Sequence, residues 1–207
     1  MDVLTIAYIV GITFIAYLIG SFPTGFVLVK AVKNEDIRQI GSGSTGATNV
    51  KRVLGTPAYL FVMFFDGFKG FLPVMWAKYL EIKFALLPEA HILPVLVSIA
   101  VILGHSRSVF LKFTGGKSVA SGVGTILGLY WPIGLITAGL WVVLTYFTKI
   151  VSISSMTVVL LTPVWMILFN QPVSYITYCL LGAIYIVYLH RDNIKRLLAG
   201  NENKIRN

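Results

Sequence analysis

The sequence predicts an all-α integral membrane protein, a polytopic bundle of seven transmembrane helices forming a single domain over residues 1–207. Three observations predict it. Only 12% of the residues are charged and the mean hydropathy is +0.83, whereas a soluble domain carries roughly twice that charged fraction. The apolar residues fall into long runs, and a bilayer-spanning helix needs ~20 such residues. The remaining charges are lopsided. With seven spans, Lys30, Lys33, Arg38, Lys51, Arg52, Arg107, Lys112, Lys117, Lys149, Arg191, Lys195, Arg196, Lys204 and Arg206 reach one face, leaving three of the 17 Lys and Arg residues elsewhere. The positive-inside rule makes that face cytoplasmic, with the N-terminus outside and the C-terminus inside.

The spans follow in order. The first covers about 3–29, with Pro23 near its inner end. It starts almost at Met1 with no basic region before it and exceeds a signal-peptide core, so it reads as a retained helix. A polar stretch over 30–52 precedes a second span over 57–76, which Asp66 and Lys69 interrupt. A mixed loop is expected over 78–91. The third span starts near Ile92 and turns polar at His105, and 104–116 reads as a cytoplasmic loop or re-entrant element. A short, glycine-rich fourth span covers 118–131, Pro132 marks a turn, and the fifth runs to Phe147. Thr148, Lys149 and Ser152 supply a break before the sixth span, 154–169. Asn170, Gln171 and Pro172 form the next turn, and the seventh span ends near Leu189, before a basic tail.

The net charge of +9 would suggest nucleic acid on a soluble protein. On this chain it points to orientation in the membrane and to anionic substrates or lipids, with no nucleic acid expected. Cys179 is the only cysteine, which excludes an internal disulfide.

Three polar segments carry the chemistry. In 36–52, Gly41, Gly43 and Gly46 fit G-x-G-x-x-G, but no strand precedes them, so a dinucleotide fold is set aside. Glycines still let backbone N–H groups approach an anion, with Thr48 and Asn49 beside them and Lys51 and Arg52 to neutralise charge. In 104–118, Gly116-Lys117-Ser118 resembles the end of a phosphate loop, although Leu111 stands where that motif begins with glycine. Gly104, His105, Gly115, Gly116 and Lys117 remain a candidate phosphate cradle at a helix start. In 190–202, His190 and Asn193 share a helix face, with Arg196 and Leu197 following. Asn193 is an uncharged donor suited to an oxyanion or phosphate oxygen. Topology alone would explain many of these charges, so their convergence is the structural expectation at stake.

Two smaller features stand out. Asp66 and Lys69 lie three apart inside an apolar span, as a functional pair or a mutual ion pair. Ser154 and Ser155 open the sixth span, where Ser155 either reaches the site or caps the helix. Much is absent. The fifth position after His91, His105 and His190 is Leu96, Phe110 and Lys195, so there is no His-x4-Asp, and there is no Gly-x-Ser-x-Gly. Three histidines, one cysteine and few acids make no standard metal cluster, so neither metal nor cofactor is expected.

Taken together, these segments resemble the bacterial acyl-phosphate:glycerol-3-phosphate acyltransferase family. Ser21-Phe22-Pro23-Thr24-Gly25 resembles its first-helix signature, 36–55 its first cytoplasmic motif and Asp66-Gly67-Phe68-Lys69-Gly70 a further signature. Residues 104–124 resemble its second motif and 190–202 its third. The chain departs from the pattern at Ser44, Ser106, Arg107 and Ser118, where the family commonly has glycine at the last position. The resemblance implies acyl transfer from acyl phosphate to the 1-hydroxyl of glycerol 3-phosphate, giving lysophosphatidic acid, in the bacterial inner membrane. It places the family's critical serine and arginine on Ser42 and Arg52. Its glycerol-phosphate loop falls on Gly104, Gly115, Gly116 and Lys117, its histidine and asparagine on His190 and Asn193, and its structural glutamate on Glu202. The implied partners are acyl phosphate, glycerol 3-phosphate, membrane lipids and the soluble enzyme that makes acyl phosphate. The rival classes are a transporter of a phosphorylated solute and a lipid-binding scaffold. Against transport stand the lack of internal repeats and the placement of polar residues on one face rather than at the midplane.

Overall fold

The computed structural model describes residues 2–86 and 91–205. The chain runs through α1 (Val3–Ser21), α2 (Thr24–Lys33), α3 (Ala47–Lys83), α4 (Ile92–Ser106), α5 (Val119–Leu129), α6 (Trp131–Thr148), α7 (Val151–Leu168), α8 (Val173–Leu189) and α9 (Arg191–Leu198). Short 3-10 turns occupy Ile37–Gln39 and Val109–Leu111, and one antiparallel bridge pairs Ser108 with Thr114.

Among the described residues, α1 continued by α2, α3, α6 and α7 are long and apolar enough to cross a membrane. Helices α8 and α9, with a 59° bend between them, add a further span when the pair is counted as one, and α4 and α5 are shorter apolar helices. Their outer faces are apolar: Phe61, Phe64, Phe65 and Phe68 of α3, and Val142, Val143, Tyr146 and Phe147 of α6, are all exposed. An apolar surface of that extent belongs against lipid.

Helices approach closely where side chains are smallest. A Cβ on Gly20 would lie 2.4 Å from the Val101 carbonyl oxygen, and one on Gly104 2.3 Å from that of Tyr17, which locks α1 to α4. On the α3–α5 crossing, a Cβ on Gly124 would lie 2.0 Å from the Gly67 oxygen. Small residues at such crossings let dispersion replace the hydrophobic drive that lipid removes. Gly104, expected in a phosphate cradle, therefore serves helix packing.

Four expectations are corrected. Pro23, which lacks an N–H, breaks the first span, so α1 ends at Ser21 and α2 begins at Thr24. The expected loop over 78–91 is helical as far as Lys83, and its residues 87–90 lie outside the described residues. Its charges meet neighbouring helix ends. Lys78 Nζ donates to the carbonyls of Gly128 (3.3 Å) and Leu129 (2.9 Å), and Glu81 accepts from the Leu93 N–H at 3.1 Å. The turn expected at Pro132 falls two residues earlier, at Tyr130, because proline suits the first turn of α6. The break near 148–152 is confined to Lys149 and Ile150, so Ser152, Ser154 and Ser155 all lie within α7. Arg206, counted on the basic face, lies outside the described residues.

Helix α3 changes direction at Gly55, whose φ of 81° and ψ of −170° fall where only glycine rests comfortably. Pro57 follows immediately. The bend turns the first two turns of α3, with Asn49 and Arg52, away from the line of the span behind them.

Candidate active site

The end of the bundle carrying 34–46, 107–118, 149–150 and 190–205 encloses a cavity of about 300 Å³. Ser42, Arg52, Lys117, Ser155, His190 and Asn193 line its polar side. Tyr59 and Met63 of α3, Val123 and Leu127 of α5, and Ala138, Trp141 and Val142 of α6 form an apolar side. That side ends at Val142, which is 58% exposed on the lipid-facing surface.

The first wall is built by Asn49, which is 1% exposed. Its Nδ2 donates to the carbonyls of Ile40 (2.8 Å), Ser44 (3.0 Å) and Ile37 (3.2 Å). Its Oδ1 accepts from the Ser42 N–H at 3.1 Å and from Arg52 Nη1 at 3.3 Å. Asn49 was expected on the phosphate; the geometry makes it the organiser of the loop that presents Ser42 and Arg52. Gly41 has φ of 60°, and a Cβ there would stand 2.4 Å from Asn49 Oδ1, so the loop closes only around glycine. Gly43 has φ of 68° and stands outside the cavity wall with Gly41. Gly46 and Thr48 do line it, and α3 starts there without a side-chain cap, an arrangement that favours an anion. Ser44 Oγ accepts from the Gly46 N–H at 3.3 Å.

The second wall is the loop before α5. The Gly116 N–H donates to the His105 carbonyl at 3.1 Å, and Cβ atoms on Gly115 and Gly116 would collide with His105. These glycines fold the loop onto α4 and stand behind Lys117 rather than on the cavity wall. Ser118, buried and with φ of 59°, adopts the backbone that favours glycine. Its Oγ donates to the Ile102 carbonyl at 2.9 Å, which compensates for the strain.

The third wall is the corner between α8 and α9. His190 Nδ1 lies 2.8 Å from the Ile186 carbonyl, which makes Nδ1 the protonated nitrogen and leaves Nε2 as an acceptor. Burial lowers the imidazole to about 4, so it is neutral at pH 7. Lys117 Nζ donates to Asn193 Oδ1, and Asn193 Nδ2 donates to Glu202 Oε1 at 2.5 Å. Glu202 also accepts from Ser152 Oγ (2.9 Å) and Arg196 Nε (2.7 Å). Its burial works against ionisation, but the hydrogen bonds from Asn193, Arg196 and Ser152 outweigh it and hold the carboxyl below its ordinary range. Burial comes first, with the Arg196 and Arg52 charges adding to it, in pushing the Lys117 ammonium down to about 8. Among the described residues no carboxylate pairs directly with Lys117 or Arg52. Two cations with neutral partners facing one cavity make an anion site.

Asp66 and Lys69 form the mutual ion pair, 2.8 Å apart. Lys69 Nζ also donates to the Phe22 carbonyl at 2.7 Å, and Thr24 Oγ1 donates to Asp66 at 3.0 Å. The pair thus closes the α1–α2 break, with His105 Nδ1 3.8 Å from Asp66. Ser155 does not cap α7; its Oγ accepts from Trp141 Nε1 at 3.0 Å.

The three distant segments therefore converge. Sequence reasoning missed Trp141 and gave Ser152 only a place in a break. A tryptophan in an apolar helix carries no polar signal, but Ser152 and Ser155 share one helix face at three-residue spacing, which is a readable sign. Among the described residues no group of three or more His, Cys, Asp or Glu side chains is arranged to hold a metal.

Residues 10–200 match the family described as glycerol-3-phosphate acyltransferase. A glycerol-3-phosphate acyltransferase from Nostoc sp. is 43% identical, covering 94% of this chain and 90% of its own. One from Gloeobacter violaceus is 46% identical, covering 94% of each. Two crystal structures of PlsY (YgiH), an integral membrane glycerol 3-phosphate acyltransferase, each cover 96% of both chains. The glycerol 3-phosphate form gives a TM-score of 0.88 at 31% identity. The lysophosphatidic acid form gives 0.85 at 30%. This chain belongs to the glycerol-3-phosphate acyltransferase family.

Proposed function

We propose that this chain transfers a fatty acyl group from acyl phosphate to the 1-hydroxyl of glycerol 3-phosphate, releasing phosphate and lysophosphatidic acid. The observation that carries this reading is the cavity itself. Arg52 and Lys117 stand at its polar side with no carboxylate partner among the described residues, and an apolar wall runs from there to a lipid-facing residue. Both substrates bring a phosphate, and one brings a lipid chain. The two solved relatives, as glycerol 3-phosphate and lysophosphatidic acid forms, support the acceptor and the product.

Acyl phosphate is a mixed anhydride with a good leaving group, so the hydroxyl attacks the carbonyl directly and no covalent enzyme intermediate is required. Arg52 and Lys117 stabilise phosphate charge as the anhydride bond breaks, while Ser42, His190 and Asn193 orient the substrates. Asn193 does so with its remaining amide N–H, since Oδ1 and the other N–H are engaged. A neutral His190 whose imidazole titrates near 4 is a weak base, which favours a hydrogen-bonding role and leaves the hydroxyl proton to the departing phosphate.

The finer architecture belongs to the same proposal. Residues 1–207 form one membrane-embedded acyltransferase domain in the bacterial inner membrane. Seven spans, with α1 and α2 counted as one and α8 as the last, place the N-terminus outside and the site in the cytoplasm. Fourteen of the 17 Lys and Arg residues then fall on that face. The soluble enzyme that makes acyl phosphate is the expected supplier.

The test uses purified protein, labelled glycerol 3-phosphate and three donors: acyl phosphate, acyl-coenzyme A and an acyl carrier protein thioester. Labelled lysophosphatidic acid from acyl phosphate supports the proposal. No product with any donor, but uptake of the label into vesicles, would replace it with transport. A trapped acyl-Ser42 adduct would overturn direct attack.

A further inference from the structure

Ser152 occupies the second position of α7 and is 4% exposed. Its hydroxyl donates to Glu202 Oε1 at 2.9 Å, the oxygen that also accepts from Asn193 Nδ2 at 2.5 Å. The other carboxylate oxygen pairs with Arg196 Nε at 2.7 Å. Asn193 Oδ1 in turn accepts from Lys117 Nζ. The Asn193 amide therefore stands between an ammonium and a carboxylate that would otherwise attract each other directly. The tail carrying Glu202 is fixed to the same corner a second time, because the Ile205 N–H donates to the Lys149 carbonyl at 2.8 Å. Lys149 lies two residues before the start of α7.

We propose that Ser152 is a positioning residue for acyl transfer: through Glu202 and Asn193 it keeps Lys117 clear of a direct carboxylate partner and turned toward the substrate phosphate. The proposal rests on the acyltransferase reading of the cavity. The physical argument concerns the carboxylate. An ionised carboxylate in a largely buried site holds its place only when its lone pairs are met. Without the Ser152 hydroxyl, Oε1 loses one of its two donors. Arg196 is already engaged with Oε2, and the Lys117 ammonium, on a flexible stem, is the group able to answer. A Lys117–Glu202 ion pair withdraws the cation from phosphate and also makes the ammonium harder to deprotonate.

The experiment compares wild type, Ser152→Ala and Ser152→Thr in detergent, with kcat and KM for glycerol 3-phosphate measured across pH 6–10. Ser152→Ala is expected to raise KM about ten-fold with kcat within about three-fold of wild type. The alkaline limb of kcat/KM moves to higher pH, and Ser152→Thr, which keeps the hydroxyl, restores both. Calorimetric binding of glycerol 3-phosphate to Asn193→Ala and Ser152→Ala/Asn193→Ala completes a cycle. With Asn193 gone, the loss of Ser152 is expected to change binding less than about two-fold.

A KM and pH profile for Ser152→Ala matching wild type would overturn the proposal. So would a joint fall in kcat and thermal midpoint that threonine does not rescue, or an undiminished effect in the Asn193→Ala background. Should Ser152→Ala not fold, Ser152→Cys, similar in size with a weak donor, is read by the same criteria. Failure of the underlying reading looks different: the wild-type chain then makes no lysophosphatidic acid at all.

Discussion

Two polar networks reach the cavity, one through Asp66 and one through Glu202 and Asn193, and they are built to opposite ends. In the first, Lys69 meets Asp66 and the Phe22 carbonyl, and Asp66 meets Thr24, so the network closes on itself across the α1–α2 break. In the second, Ser152, Glu202, Arg196 and Asn193 lead to Lys117, whose nearest partner is a neutral amide. Charges within membrane spans mark function by default. On the proposed reading this molecule refines the rule: the ion pair inside the span holds the fold, and the two cations that have no carboxylate partner among the described residues, Arg52 and Lys117, serve the chemistry.

The largest test of that contrast is Lys117→Ala. It is expected to cost about a thousand-fold in kcat/KM for glycerol 3-phosphate, with the thermal midpoint in detergent unchanged or raised. Lys69→Ala is expected to do the reverse. Breaking one side of a buried pair costs roughly 3–5 kcal/mol, so the midpoint falls sharply while the folded fraction keeps its kcat. If Lys69→Ala left the midpoint intact and removed turnover, the two networks would have to exchange roles.

A pH profile sharpens the same comparison. Burial pushes Lys117 down to about 8, so its charge is present below that pH and lost above it. On the alkaline side, kcat/KM for glycerol 3-phosphate is expected to fall about ten-fold per pH unit. Lys117→Arg keeps its charge throughout, so the limb disappears even if overall activity drops. A limb that persists in the arginine variant would belong to another group. His190→Gln is the milder change. An imidazole already neutral and hydrogen-bonded at Nδ1 acts mainly through Nε2, and glutamine supplies a comparable acceptor. A loss of a few-fold in kcat is expected; a loss of orders of magnitude would make His190 an obligatory base.

Composition and periodicity were enough to reveal an all-helical chain of membrane type, because lipid imposes length and polarity on each segment. The motif segments were legible because Ser42, Arg52, Lys117, His190 and Asn193 are polar residues outside the apolar runs. What stayed hidden depended on partners distant in sequence. Lys78 and Glu81 looked like a loop because nothing local shows that the ends of α5 and α4 await them. Gly104, Gly115 and Gly116 looked like an anion cradle, since a glycine that admits a phosphate and one that admits a helix or a histidine ring are the same letter. Trp141 and Ser152 join the site only once α6 and α7 fold against the tail.

The smallest expected effect lies at Ser118, between the two networks. It follows Lys117 directly, and its hydroxyl binds the Ile102 carbonyl on α4, the helix whose His105 faces Asp66. Two contributions oppose each other in Ser118→Gly. Glycine relieves the left-handed backbone at φ of 59°, a gain of up to ~1 kcal/mol. It also removes a buried hydrogen bond, a loss of about 1 kcal/mol, and frees the unfolded chain. The thermal midpoint should therefore shift by no more than the equivalent of about 1 kcal/mol. Lys117 keeps its own partners in Asn193, so KM for glycerol 3-phosphate should change less than about two-fold. A large rise in KM with an unchanged midpoint would mean that the loop backbone, and not the Ser152–Glu202–Asn193 chain, sets where Lys117 points.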